Sequence, residues 1–202
     1  MRPSYGKCSR KSIWELKKVS EKVLFYVNPY YSMDKNLNDY IWYVAYGSNL
    51  LCDRFMWYIK GGQSPYREKP YTGCNDKNPP SDNKKFIVPY PLYYGNESSS
   101  REWSGVAFID ANQKDVDITL GRAYLITKEQ FEQVWEQETT TKEKSEKWYG
   151  RRVSLGIDKN WIEFATFTSK TRRPENEPNE KYKKVIGEGR AETENLELIQ
   201  AV

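Results

Sequence analysis

Histidine is absent from all 202 residues. That absence removes the Ser-His-Asp and Cys-His catalytic arrangements and every histidine-containing metal site. Proton transfer in such a chain falls to a carboxylate, tyrosine, lysine or cysteine. Cysteine is scarce as well. Cys8, Cys52 and Cys74 form no CxxC pair and leave an odd count, which predicts reduced thiols in a cytoplasmic protein. No apolar run approaches the roughly 18 residues that a spanning helix needs, so an integral membrane protein is excluded. The N-terminus has no apolar h-region and is not read as a secretory signal.

Net charge is nearly missing from the body of the chain. Residues 1–22 hold seven Lys/Arg against Glu15 and Glu21, an excess larger than the whole chain's net charge of +4. The chain beyond residue 22 is close to neutral and carries no footprint of a nucleic-acid binder. The basic stretch reads as a solvated tail.

Tyrosine is abundant, with sixteen copies in a chain that is 15% aromatic and 30% charged. The length suggests one domain with an appendage. Residues 1–38 form the expected basic N-terminal extension: "SIWELKKVSEKVLFY" offers a short amphipathic helix, and "VNPYYSMDKN" breaks it. Residues 39–202 form the expected autonomous domain.

Its first strand is "YIWYVA" at 40–45, apolar throughout and so buried on both faces. After Gly47-Ser48-Asn49, the residues Leu51, Phe55 and Ile59 recur at helical spacing, with Ser48 and Asn49 as natural N-caps and Gly61-Gly62 as the stop. The Pro-, Gly- and Asn-rich stretch up to residue 83 is long for a connection, and such loops are often functional or mobile. Further strands are predicted at 85–90, 105–110, 121–127, 151–157 and 161–169, the last two forming a hairpin around Asp158-Lys159-Asn160. One helix is predicted from Lys128 and a short one at the C-terminus. The sum is an α+β fold, a mixed β-barrel of about six strands with few helices.

Two constellations can carry chemistry. A strand that runs into Gly47-Ser48-Asn49 and then a helix aims successive N–H groups at one point, which suits a carboxylate or phosphate. The same pattern also describes an ordinary N-cap turn. The second is "TKEQFEQVWEQETT". Thr127 and Gln130 form a capping box. Phe131, Val134 and Trp135 then mark the buried face, and i+7 on that face is Glu138, while Glu132 and Glu136 fall on the solvated side. Glu138 is either a frayed helix end reaching water or a desolvated carboxylate with a raised pKa, fit for general acid/base work. The lack of histidine favours the second. Cys52, in the first helical turn, reads as a structural thiol, because acyl transfer through it has no histidine to serve it. Asp115 and Asp117 read as a solvated turn.

"YVAYGSNL" at 43–50 resembles the signature of the γ-glutamylcyclotransferase-like proteins, a β-barrel family with a YGSNL-type loop. Two more segments match in order: "WEQE" at 135–138 is similar to the family's helix ending in its catalytic Glu, and "NEKYKKVIGEGRAETENL" at 179–196 to the segment with its active-site Tyr. The resemblance covers about residues 41–200 and implies Glu138 as the catalytic acid/base. It implies Tyr46, Gly47, Ser48, Asn49, Leu50 and Tyr182 as the substrate-binding set. The chain departs from the family at Thr139, where a Gly commonly follows the Glu.

The implied reaction turns a γ-glutamyl amide or peptide into 5-oxoproline and a free amine or amino acid, with no metal, cofactor, nucleic acid or membrane. The chain would act on a small-molecule γ-glutamyl substrate as a monomer or homodimer. The leaving group stays open between amino acid, glutathione-like peptide, polyamine and antibiotic. The competing reading is a catalytically silent barrel that binds a γ-glutamyl or other carboxylated metabolite.

Overall fold

The computed structural model describes residues 37–97, 104–139 and 148–202, so the expected N-terminal extension lies almost wholly outside the described residues. The organising element is β1 (Tyr40–Ala45), whose six residues are all buried. Tyr40, Trp42 and Val44 enter one apolar cluster, while Ile41, Tyr43 and Ala45 enter a second on the opposite face. A strand with a core on each side has no room for a polar face, which is why its sequence does not alternate.

Six more strands surround it: β2 (Asp82–Val88), β3 (Leu92–Glu97), β4 (Ser104–Ile109), β5 (Thr119–Thr127), β6 (Arg151–Ile157) and β7 (Glu163–Thr168). They form a five-stranded sheet in the order β2-β5-β1-β7-β6 and a separate β3-β4 ribbon. The sheet is mixed, with β1 and β7 parallel and the other pairs antiparallel. The predicted strands all exist, and β3 is additional to them. The β6–β7 turn is locked by Asp158, whose Oδ1 accepts from the Asn160 and Ile162 N–H groups and whose Oδ2 accepts from Trp42 Nε1 (3.1 Å).

The expected closed barrel is not what forms among the described residues, because β2 and β6 do not pair with each other. The C-terminal segment spans the gap instead. Lys85 N–H donates to the Glu197 carbonyl (2.8 Å), Ile199 N–H to Lys85 (2.9 Å), and Val202 N–H to Ile157 on β6 (2.9 Å). The edge of β4 is satisfied in another way. Ala107 N–H donates to the Tyr182 hydroxyl, while the Ala107 and Ile109 carbonyls accept from the Tyr149 and Thr168 hydroxyls. Side-chain oxygens do there what a neighbouring strand would do in a closed ladder.

Three α-helices pack around the sheet: α1 (Cys52–Lys60), α2 (Lys128–Thr139) and α3 (Glu180–Glu194). The predicted capping box is present, with Gln130 N–H donating to Thr127 Oγ1 (3.1 Å) and Thr127 N–H to Gln130 Oε1 (3.0 Å). The C-terminal helix has 15 residues rather than being short, and the Asn179 side chain caps it by accepting from Tyr182 N–H. The long loop after α1 is fastened rather than loose: Gly62 and Tyr71 exchange both backbone hydrogen bonds, and Gly73 N–H donates to Gln137 on α2.

Two glycines of α3 show how tightly it seats. A Cβ on Gly189 would meet the backbone of Leu50 and Leu51, whereas one on Gly187 would meet nothing within 4 Å. Gly187→Ala should therefore stabilise the helix by up to about 1 kcal/mol, raising Tm by about 2–4 °C. Gly189→Ala should cost about 1–3 kcal/mol through overpacking. Thermal unfolding of the two variants tests this, and an unchanged Tm for Gly189→Ala would refute the close seating.

Candidate active site

β1 ends at Ala45, and the chain turns through Tyr46 and Gly47 into a single 3-10 turn, Ser48–Leu50. Every carbonyl of that turn is occupied. Gly47 and Ser48 accept from the Leu50 and Leu51 N–H groups, Asn49 from the Tyr124 hydroxyl (2.9 Å), and Leu50 from Arg122 Nη1 (2.9 Å). Among the described residues, no protein acceptor takes the N–H groups of Gly47, Ser48 or Asn49. Such donors at the end of a buried strand are a candidate cradle for an oxyanion.

The cradle is not the N-terminus of α1, as the sequence suggests. Neither Ser48 nor Asn49 caps that helix; Leu51 sits at the cap position with no side-chain bond. The first N–H of α1, at Cys52, instead donates to Glu192 Oε2 of α3 (3.2 Å). A protein carboxylate 140 positions away thus meets the positive helix end. The same carboxylate pairs with Arg122 (2.7 Å), whose guanidinium also holds Asn83 and the Leu50 carbonyl. Arg122 is 4% exposed, so the bonds it makes fix the rear of the cradle.

Glu138 reaches the same place from α2. It is half-buried, while Glu132 and Glu136 are exposed, as the helical register requires. Asn49 Nδ2 donates to Glu138 Oε1 (3.1 Å) and lies 3.2 Å from the Tyr43 hydroxyl. Asn49 is 5% exposed, and its Oδ1 is buried with no hydrogen-bond partner. Thr139 does not break the helix. Its hydroxyl bonds back to the Trp135 carbonyl (2.9 Å), so α2 continues past the carboxylate.

The other candidates divide. Tyr182 stands beside the cradle: its oxygen accepts from Ala107 N–H (3.1 Å). A Cβ on Gly47 would sit 3.3 Å from that hydroxyl and 3.1 Å from the Ala107 Cβ, so a side chain there would need its neighbours to give by a few tenths of an ångström. Tyr46 is buried, and its hydroxyl donates to the Phe167 carbonyl (2.8 Å), so its proton serves the fold. Leu50 contributes a buried side chain under the turn. Among the described residues neither Cys52 nor Cys74 is in a disulfide, and Cys74 lies in the core. Among the described residues, no group of three or more His, Cys, Asp or Glu could hold a metal ion.

Sequence reasoning missed Tyr43, Arg54, Tyr58 and Tyr149, which crowd around Glu138. Burial pushes the Tyr43, Tyr46, Tyr58 and Tyr149 hydroxyls well above the ordinary phenol range, and the Glu138 charge pushes each further. Tyr182 is pushed up to about 12 by burial, against opposing help from the Ala107 N–H and Arg54. One signal was available: Arg54 and Tyr58 stand four apart on the helix directly after YGSNL, on a shared face.

No protein-family model matches the chain. Histone deacetylase 5 of Arabidopsis thaliana is 40% identical over 100 residues, which is 48% of this chain and 15% of that protein. The chain thus spans a small part of that relative. Two solved structures share the fold. The uncharacterized human protein loc79017 aligns with TM-score 0.52 and 23% identity over 77% of this chain and 80% of its own. A structure named gamma-glutamyl cyclotransferase aligns with TM-score 0.52 and 21% identity over 77% and 81% of the two chains. Among the described residues, no helix is long and apolar enough to cross a membrane.

The buried tyrosines set the alkaline limit of the fold. An unfolded tyrosine ionises near 10, whereas Tyr182 holds its proton to about 12 and the four others hold theirs longer. Between those values the unfolded chain binds fewer protons, so stability is full below pH ~10 and falls steeply as pH rises above it. In a pH titration, phenolate absorbance of these residues should rise together with loss of the fold. Gradual ionisation of all sixteen tyrosines in a still-folded protein would contradict their burial.

Proposed function

We propose that the chain is a cofactor-independent, γ-glutamylcyclotransferase-like enzyme that converts a γ-glutamyl amide or peptide into 5-oxoproline and a free amine or amino acid. The observation that carries this reading is the meeting of Glu138 with Asn49. One carboxylate touches the residue that ends a three-donor cradle, so a ligand anchored by an anion presents its neighbouring atoms to that carboxylate. An α-amino acid has that shape, with an ammonium one carbon from its carboxylate. The fold shared with a gamma-glutamyl cyclotransferase supports the same substrate class. The deacetylase name belongs to a protein of which 15% is matched and lends no activity to this chain.

On this reading the Gly47, Ser48 and Asn49 N–H groups hold the α-carboxylate. Glu138 takes a proton from the α-ammonium, and the freed amine attacks the γ-carbonyl of the same glutamyl group. The ring C–N bond forms, the amide C–N bond breaks, Glu138 returns its proton to the departing nitrogen, and the ring nitrogen sheds its second proton, which leaves with the product amine as an ammonium. Tyr182, neutral at working pH and with its oxygen bonded to Ala107 N–H, lines the pocket with a phenol. The buried Asn49 Oδ1 is an acceptor suited to the α-ammonium. No protein nucleophile enters the sequence of bonds, so the absence of histidine is no handicap.

The test is a panel of γ-glutamyl amino acids, peptides and amines assayed for 5-oxoproline release, run with two variants. Glu138→Gln should lower kcat by at least the 10²–10⁴-fold of a lost acid/base, and Glu136→Gln should leave it within about twofold. Both should stay folded, since the amide introduced by Glu138→Gln keeps an acceptor oxygen for Asn49, and Glu136 faces solvent. Equal activity of the two variants would refute the assignment. Binding of a γ-glutamyl compound without turnover would leave the silent binding protein as the answer.

A further inference from the structure

Asn49 is fixed at three atoms and left open at one. Its carbonyl accepts from the Tyr124 hydroxyl (2.9 Å), and its Nδ2 donates to Glu138 Oε1 (3.1 Å) and the Tyr43 hydroxyl (3.2 Å). Tyr43 on β1 and Tyr124 on β5 are direct partners across the sheet, with rings stacked at 6.5 Å. Two neighbouring phenols thus grip the residue, one by its backbone and one by its side chain.

The amide faces only one way. An ionised carboxylate accepts and never donates, so the group turned to Glu138 is the NH2. Its second hydrogen goes to the oxygen of Tyr43, a phenol that burial keeps protonated. Both amide hydrogens are then used, and Oδ1 remains. That oxygen is buried, in a residue 5% exposed, and no described residue bonds it. A buried acceptor without a donor weakens a fold, and native proteins keep few of them.

We infer that the Asn49 carboxamide is a positioning and specificity-determining group: its NH2, locked by Tyr43, holds the Glu138 carboxylate, and its Oδ1 accepts from a ligand's α-ammonium. This deepens the function proposed above and rests on it. What it adds is the ligand class, an amino-acid end with a free primary ammonium in preference to a plain carboxylate of the same shape. Oδ1 and Nδ2 belong to one planar group, so a nitrogen bonded to Oδ1 on its Nδ2 side lies beside the carboxylate that Nδ2 holds. The ammonium then meets a neutral acceptor and an anion together. A merely structural Asn49 would anchor the turn and treat both kinds of ligand alike.

The test is a ligand cycle. L-Glutamine, the smallest γ-glutamyl amide, and glutaramate, the same molecule without its α-ammonium, are titrated calorimetrically into wild type and Asn49→Ala. Wild type should bind glutamine at least about tenfold more tightly than glutaramate. Asn49→Ala should lose about 10–100-fold for glutamine, the worth of a hydrogen bond to a charged group, and stay within about threefold for glutaramate. Tyr43→Phe, which unlocks the amide without removing it, should lose less, again for glutamine alone. Thermal unfolding of Asn49→Ala, Glu138→Ala and the double variant reads the hold on Glu138. The Tm shifts should be non-additive by at least about 2 °C, as for residues in contact.

Additive Tm shifts would overturn the hold on Glu138. Equal losses for the two probes would overturn the ammonium acceptor, as would a wild type that prefers neither probe or binds neither. Where Asn49→Ala does not fold, Tyr43→Phe decides both points, through its selectivity between the probes and its own thermal cycle with Glu138→Ala. Release of 5-oxoproline is read separately. A wild type that releases none, yet prefers glutamine through Asn49, would end the proposed reaction and keep the ammonium site.

Discussion

The carbonyl oxygens from Gly47 to Leu50 are all bonded inside the protein, and the N–H groups that open the turn find no acceptor among the described residues. Much of the architecture maintains that asymmetry. Two carbonyls are satisfied within the turn, but the other two depend on Tyr124 and Arg122, both from β5. β5 pairs with β1 along its whole length, so the strand that delivers the turn and the strand that holds its carbonyls are in fixed register. α3 seals the outside through Gly189, and its Glu192 bonds both Arg122 and the start of α1. An exposed Arg–Glu pair is worth little. This one has an arginine with 5% side-chain exposure, and removing the carboxylate would leave a buried cation and a bare helix end.

The same logic places the site at the end of β1 rather than in either core. Each face of β1 is dry and aromatic, and the two clusters are separated by the strand itself. Past Ala45 that partition ends, so groups from both sides meet: Tyr182 from the first cluster, Tyr43 and the α2 helix from the second. The result is one carboxylate, one guanidinium and several phenols that burial keeps neutral. Neutral phenols solvate a carboxylate without competing for its charge. They also exclude water, which strengthens each remaining polar contact.

Legibility in the sequence followed the range of the interactions concerned. β1, the capping box at Thr127 and the inward register of Glu138 rest on spacings within one element, and periodicity was enough. β3 escaped because "LYYGNE" carries a Gly and a positive-φ Asn96, and its pairing depends on β4 and on residues 174–176, both remote from any local signal. The start of α1 was misread for a long-range reason. Ser48 and Asn49 are good N-caps, but Leu51 takes the cap position and Glu192 meets the helix end instead. Barrel closure failed in the same way, since only the folded chain brings residues 197–202 to both sheet edges. Arg54 and Tyr58 read as ordinary helix positions because nothing local says that a cation will be buried.

A chain without histidine can run the proposed chemistry because the reaction asks for geometry more than for reactive groups. Nucleophile and electrophile belong to one molecule, and holding them aligned replaces an encounter in solution. Well-oriented intramolecular reactions reach effective molarities of about 10⁵–10⁸ M. An acid/base adds about 10²–10⁴-fold. The larger factor thus comes from the cradle, whose rigidity is that of a strand buried on both faces, and the smaller from Glu138. Both are sensitive to small displacements, since an ångström of misplacement costs about 10²-fold. Gly47 shows how little slack exists, with the Ala107 Cβ and the Tyr182 hydroxyl already at contact distance from where a side chain would begin. On the proposed function, the dense tyrosine packing would serve the chemistry as much as the core, because it surrounds both the turn and the carboxylate.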